Sequence, residues 1–342
     1  MPKARRRIPT PAWEREHRVP GGQLFDRSPQ FFGMIAVVLL IVIALGIVGY
    51  GFLSDYIQTQ QRPGSAAIEI NNSNYSVRYY AARLKMYIDQ SGGASSQNQQ
   101  TQPQTAIPAL SNQLVQEYIL NNFAGEKTVT ATDADVNTEI ATLLGIKVED
   151  ANFPARVQEE LTRNGLTEPE FRDFIKAKVL FTKLNESFVA AVPATAESVN
   201  YRQIQVDTLA TADELRAQIE AGADFAVLAK EKSTDTTTKD TGGDTGWTPR
   251  GVLEKATEDT IFGLEPGQLT TFPTQTGAFV YQLIEKQAGR PIEESQRSVL
   301  ANVALGDWFN EKQDSLNIVD HLDLSVGDGD KIRYVVDHAY SA

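Results

Sequence analysis

"GADFAVLAKEKSTDTTTKDTGGDTGWTPRG", residues 222–251, joins a helical pattern to a run of small polar residues. It begins as a short helix, "DFAVLAKEKS", and passes into Ser, Thr, Asp and Gly before ending on a tryptophan and "PRG". Small polar residues of this kind build phosphate loops, disordered linkers and active-site rims alike. A phosphate loop needs Gly-Lys followed by Ser or Thr at the start of a helix, and that is absent here. The flanks separate the other two.

Before it, "VNYRQIQV" alternates as a strand does, and "TADELRAQIEAG" reads as a helix with Thr211 and Glu214 as a capping box and Gly222 at its end. After it come a helix in "VLEKATEDTIFGL" and two strands in "GQLTTFPTQTGAFVYQLIEKQ", turning at Thr276 and Gly277. The order strand, helix, helix, loop, helix, strand, strand is a compact α+β unit, set at residues 196–288. A linker would not sit between capped helices and paired strands, so the loop is part of that unit.

Upstream the period changes to that of helices. Residues 76–89 place Val77, Tyr80, Ala81, Leu84 and Ile88 on one face, and 110–123 do the same with Leu110, Leu114, Val115, Tyr118 and Ile119. Thr132 with Asp135 caps the next helix, which carries Val136, Ile140, Leu143 and Leu144. Thr167 and Glu170 form a capping box for the longest, with Phe171, Phe174, Ile175, Phe181, Leu184 and Phe188. Residues 68–195 are thus a helical module, interrupted at 90–105 by a polar low-complexity segment that reads as a flexible insertion. "IEINNSNYSV" at its start alternates as a short strand or hairpin arm.

The N-terminus sets the compartment. Residues 31–53, "FFGMIAVVLLIVIALGIVGYGFL", are 23 apolar residues without a charge, enough to span about 30 Å of hydrocarbon as a helix. A cleavable signal peptide has a shorter apolar core and a small-residue cleavage site, so an uncleaved anchor is favoured, followed by a spacer at 54–67. The tail, residues 1–30, holds seven Lys or Arg against three acids, which keeps it cytoplasmic and exports the chain beyond Leu53.

Composition excludes several functions. The chain of 342 residues carries a net charge of −12; less the tail's +4, the exported part carries −16, opposite to a nucleic-acid footprint. There is no cysteine, and the three histidines, His17, His321 and His338, lie far apart. Thiolate chemistry is excluded, a histidine metal site is not expected, and no cofactor is called for.

With these elements in place, "GADFAVLAKEKSTD", "GGDTGW", "PRG", "IFGLEPGQLT" and "VYQLIEK" resemble, in nearly unbroken order, the parvulin-type peptidyl-prolyl isomerase domain. An anchor, a helical module, such a unit and a returning helix in "EESQRSVLANVALGDWFNEKQDS" resemble the exported folding factors of the SurA, PrsA and PpiD kind. The resemblance implies that residues 289–342 pack back on the helical module. It also implies binding of unfolded or newly translocated polypeptides, at X-Pro segments, outside the cytoplasm.

Isomerisation twists an amide across a barrier of roughly 20 kcal/mol, and an apolar pocket beside a small polar network favours the twisted form. Carried over by resemblance, Asp235 takes the family's acid position, with Thr236 as the alternative because the loop is one residue longer. Leu253 is an apolar pocket position, and Phe262 of "IFGL" belongs to the same wall. Gln203 stands where a histidine is expected on the first strand, and Val280, or in another register Gln282, where the second is expected. Thr257 replaces a pocket phenylalanine and Thr245 a leucine. Gln203 exchanges hydrogen bonds but cannot titrate, so weak isomerase activity is expected at best. A non-catalytic holdase or an envelope assembly component is the alternative.

Overall fold

The computed structural model describes residues 29–57, 61–92 and 102–340, with side chains in the first helix described from Leu39 onward. The basic tail up to residue 28 and residues 93–101 of the polar insertion lie outside the described residues. Two compact units are formed, Met1–Ser65 and Ala66–Ala342.

In the first unit, helix α1, Pro29–Tyr56, contains the whole apolar run. Its described apolar side chains, among them Leu40, Leu45, Ile47 and Phe52, are exposed. Among the described residues no helix is long and apolar enough to cross a membrane, so a span over 31–53 is an inference from sequence.

The second unit holds the helical module and the α+β unit. Strands β1, Ala66–Ile70, and β2, Ser73–Ser76, form a hairpin, and Ser76 then caps helix α2, Val77–Gln90, by accepting the Tyr79 N–H. Four helices follow: α3, Pro103–Phe123; α4, Asp133–Leu144; α5, Phe153–Asn164; and α6, Glu168–Ala191. The Thr132–Asp135 and Thr167–Glu170 boxes both close. Each satisfies N–H groups that a first helical turn leaves without partners.

The apolar stripes meet in one core, with Tyr80, Leu84, Leu110, Leu114, Ile140, Phe171 and Ile175 almost fully buried. Inside it Arg83, 2 % exposed, makes two parallel bonds to Glu117, 2.6 and 2.7 Å, with its guanidinium 4.0 Å from the Phe174 ring centroid. Not every stripe residue is buried: Leu143 and Phe181 are 42 % and 46 % exposed. Both line a groove of about 540 Å³ with Leu120, Phe174 and Ile175.

Between the helices of this module lies the α+β unit. Strand β3, Thr195–Val206, leads to α7, Leu209–Glu220, and α8, Phe225–Lys232; then come β4, Asp244–Pro249, helix α9, Lys255–Phe262, and strands β5, Leu269–Thr274, and β6, Gly277–Pro291. The sheet order is β4-β3-β6-β5, antiparallel throughout. Because side chains alternate along a strand, Ile204, Val206, Ala278 and Val280 bury one face against α7 and α8. Val199, Tyr201, Tyr281 and Leu283 face the other side, toward α9.

Two expectations change here. The helix cap is Thr208 rather than a Thr211–Glu214 box: its backbone is extended and its hydroxyl accepts the Thr211 N–H, so the helix starts three residues earlier. The end of the opening loop, "DTGWTP", is strand β4, drawn out by pairing with β3. That pairing partner is more than forty residues earlier and leaves no local periodic signal.

Beyond β6, helix α10, Glu294–Asp314, returns to the helical module and sets Leu305 and Trp308 into its core, while Val299 and Val303 stay exposed. Strand β7, Ile318–Asp320, pairs with the far edge of β1, and helix α11, Gly329–Tyr340, adds Val335 and Ala339 to the same core. The two crossings between the parts run side by side, with the Ile292 N–H bonded to Ala194 O at 3.1 Å. Arg297 of α10 clasps the carbonyls of Val189, Val192 and Pro193 at the end of α6.

Candidate functional site

The long loop is stitched to β3 at both ends. The Thr234 N–H bonds to Gln205 O at 2.8 Å, and the Gln203 N–H bonds to Gly243 O at 2.8 Å. Gly243 has a φ of +84°, and a Cβ there would lie 2.5 Å from Gln203 O and 2.9 Å from the Phe225 ring, so only glycine lets the two backbones approach this closely.

Held between those points, Asp235 meets Gln203. The Gln203 amide donates to Asp235 Oδ2 at 2.7 Å, the Thr238 hydroxyl donates to the same oxygen at 2.6 Å, and the Thr237 N–H donates to Oδ1 at 2.9 Å. Burial opposes the charge on Asp235. The three donors outweigh it and hold the carboxyl below the usual carboxylate range. Thr236, the alternative acid position, is exposed beside this network. Of the members of the network, Gln203 and Asp235 are readable from the sequence, whereas Thr238 becomes visible only once the loop is folded.

Across the sheet, β6 pairs Tyr281 directly with Gln203, while Val280 pairs with Ile204 and Gln282 with Arg202. Val280 and Gln282, the two positions that the resemblance offers for the second histidine, are turned by strand alternation to the other side of the sheet from Gln203, where Val280 is fully buried with Ile204. The residue on Gln203's face is Tyr281, 3 % exposed. Its register is a property of strand pairing, which no local pattern reveals.

Tyr281 sits among rings: Tyr201 at 6.0 Å, Phe272 at 6.3 Å and Phe279, parallel, at 5.4 Å. Leu253 packs at the edge of this cluster and Phe262 inside it, with the Arg250 guanidinium 4.1 Å from the Phe262 ring centroid. Thr245 is turned to the backbone, donating to Tyr201 O at 2.7 Å. Thr257 lies on α9. Burial, and then the neighbouring Tyr201, push the Tyr281 phenol up, with Thr257 acting in the opposite direction. Burial likewise raises Tyr201, with Thr245 and Thr248 acting in the opposite direction.

A carboxylate kept charged, an amide bonded to it and an aromatic cluster with neutral phenols make up the face below the loop. Such a site offers hydrogen bonds and apolar contact without a nucleophile and without a base that titrates near neutrality.

The family model of the PPIC-type PPIase domain matches residues 168–287, a range that holds the loop, its helices and most of the four-stranded sheet. The SurA-like N-terminal domain matches residues 26–185. A probable parvulin-type peptidyl-prolyl cis-trans isomerase of Bordetella pertussis is 30 % identical over 201 residues, 56 % of this chain and 70 % of that protein. The chain belongs to the parvulin-type peptidyl-prolyl isomerase family and joins its domain to a SurA-like helical module. Foldase protein PrsA of Caldanaerobacter subterraneus is 29 % identical over 209 residues, 59 % of this chain and 65 % of that protein, just under two thirds of its length. A crystal structure of PrsA from Bacillus anthracis, 21 % identical, covers 68 % of this chain and 95 % of that one with a TM-score of 0.39.

Proposed function

We propose that this chain is a membrane-anchored, extracytoplasmic folding factor that holds unfolded polypeptides on its helical module and binds their X-Pro segments at the Gln203–Asp235 face. The anchor is the apolar run at 31–53, oriented by the basic tail before it. The exposed Phe181 and Leu143 beside the groove give the helical module apolar surface for a client.

The observation that carries the reading is the intact polar network below the loop, built without a histidine. Gln203 supplies Asp235 with the hydrogen bond at 2.7 Å, so the site keeps its shape and a desolvated aromatic floor. It lacks the imidazole pair of the family's pattern, and the isomerase activity is therefore weak, within about two orders of magnitude of the uncatalysed exchange, which takes tens of seconds.

Exchange of one X-Pro bond in a tetrapeptide, followed by line broadening with the full chain present, tests this. Slow but measurable catalysis that falls in Asp235→Ala supports it, and family-typical rates would refute the degenerate site. A second reading, a holdase without catalysis, is favoured by Thr257 standing in place of a ring. It predicts aggregation suppression that survives deletion of residues 197–288.

A further inference from the structure

At the seam of α2, α5 and α11 the charge of the chain is locally reversed. Acids outnumber Lys and Arg by 44 to 32 over the whole chain, yet a cavity of about 230 Å³ at this seam is lined by Arg78, Lys85, Arg163 and His338 and by no Asp or Glu. Arg78 and Lys85 lie two turns apart on α2, with the methyl groups of Ala81 and Ala82 between them. Arg163 comes from the last turn of α5. Tyr334 and His338 come from α11, their rings stacked with centroids 3.8 Å apart.

Like charges gathered in one cavity repel unless something negative sits among them. Two of the cations have partners outside the lining: Arg78 is paired with Glu170, and Arg163 with Glu160 at 2.9 Å. Arg78 also donates to Gly165 O at 2.7 Å, so the carbonyl at the end of α5 is already occupied by a cation. Lys85 is half-buried and has no ion pair among the described residues. Its ammonium, partly out of water in a cavity that offers no carboxylate, is left for a ligand to neutralise.

We propose that this cavity is a binding site for a phosphate group, carried free or as the headgroup of a phospholipid. Its cations approach from three helices, and a tetrahedral phosphate has acceptor oxygens pointing in as many directions, whereas a carboxylate presents two in one plane. The Arg163 side chain is 63 % exposed and its partner lies one helical turn away, so its guanidinium can turn to the ligand at little cost. The site belongs to the helical module and shares no residue with the Gln203–Asp235 face, so it does not depend on X-Pro binding.

The test is NMR of the full chain, labelled at histidine and held in a nonionic detergent, titrated with sodium phosphate at fixed pH and ionic strength against sodium acetate. The His338 ring signals should move and saturate with phosphate, while those of His321, which is bonded to Glu69 and lies outside the cavity, should stay in place. Lys85→Gln and Arg163→Gln should each weaken the response about five- to tenfold. Arg163 is exposed enough for its variant to fold even where Lys85→Gln does not.

Two further arms separate the sources of the phosphate. Glycerol phosphate that matches inorganic phosphate, with no response to phosphatidylglycerol in the micelle, supports a soluble ligand. Saturation at a lower concentration of phosphatidylglycerol supports a headgroup. Acetate as effective as phosphate, movement of His338 that never saturates, equal movement of His321, or a response unchanged in both variants overturns the proposal.

Discussion

Replacing Gly243 by alanine separates two costs that the loop imposes. At φ +84° a side chain is strained whatever the space around it, and this costs about 1–2 kcal/mol. In addition, the new Cβ would stand 2.5 Å from Gln203 O and 2.9 Å from the Phe225 ring. Neither the β3 backbone nor a ring wedged in the core can retreat cheaply, which adds about 1–3 kcal/mol. Gly246 is the control, since its φ is +70° and a Cβ there meets nothing within 4 Å. Gly246→Ala should therefore lose only the conformational part, about 1–2 kcal/mol, and Gly243→Ala the sum, about 2–5 kcal/mol. Urea unfolding of the full chain, comparing both variants with wild type, measures the difference directly. The displaced Gln203 backbone should also part Gln203 from Asp235, so X-Pro binding should fall in Gly243→Ala and not in Gly246→Ala. Equal stability losses in the two variants would refute the claim that glycine is there for the close approach.

Glu117→Leu should destabilise the helical module by about 3–5 kcal/mol, because it leaves the Arg83 guanidinium buried and unpaired, and Arg83→Leu with Glu117→Leu should regain most of that in the same urea experiment. Asp235 has a folded carboxyl below its unfolded value of 3.8, so its contribution to stability is complete above about pH 4 and lost as the pH falls through the folded value; Asp235→Asn should remove that slope from acid unfolding curves. With Asp235 charged, the phenols neutral and no imidazole in the site, isomerase rates should be flat from about pH 5 to 9, as a pH series of exchange rates would show. Arg297→Ala removes three carbonyl contacts at the crossing and should speed limited proteolysis near residues 192–195, read by mass spectrometry of the fragments.

The sequence was most legible where structure is local. The Thr132 and Thr167 boxes and the apolar stripes of α2, α3, α4 and α6 depend on residues three or four apart, within a single helical turn of one another. The Gln203–Asp235 contact was legible through family resemblance, because both residues sit in ordered motifs. The rest depended on partners distant in the chain. β4 is a strand only because β3 lies beside it, β7 only because of β1 about 250 residues earlier, and Tyr281 faces Gln203 only through their register. An assignment one residue away, at Val280 or Gln282, lands on the opposite face of the sheet. The Thr208 cap was missed for a smaller reason: two threonines three residues apart both precede a helical pattern, and only backbone conformation distinguishes them.

The way the last strand and helices close the first module bears on how the chain is made. β1 waits for β7, and the helical core waits for Leu305 and Trp308, so nothing upstream of the α+β unit can be completed when it first emerges. The α+β unit between them is contiguous and can fold as soon as β6 has been delivered. Once folded, it brings its entry and exit into register as neighbours, Thr195 beside Pro291. A span of about a hundred residues that would otherwise have to be closed as a flexible loop is thereby reduced to a single strand spacing. The unit therefore acts as a clip that hands the late C-terminal segment to the waiting helices, a service that requires its fold and is indifferent to whether its pocket turns over a single proline.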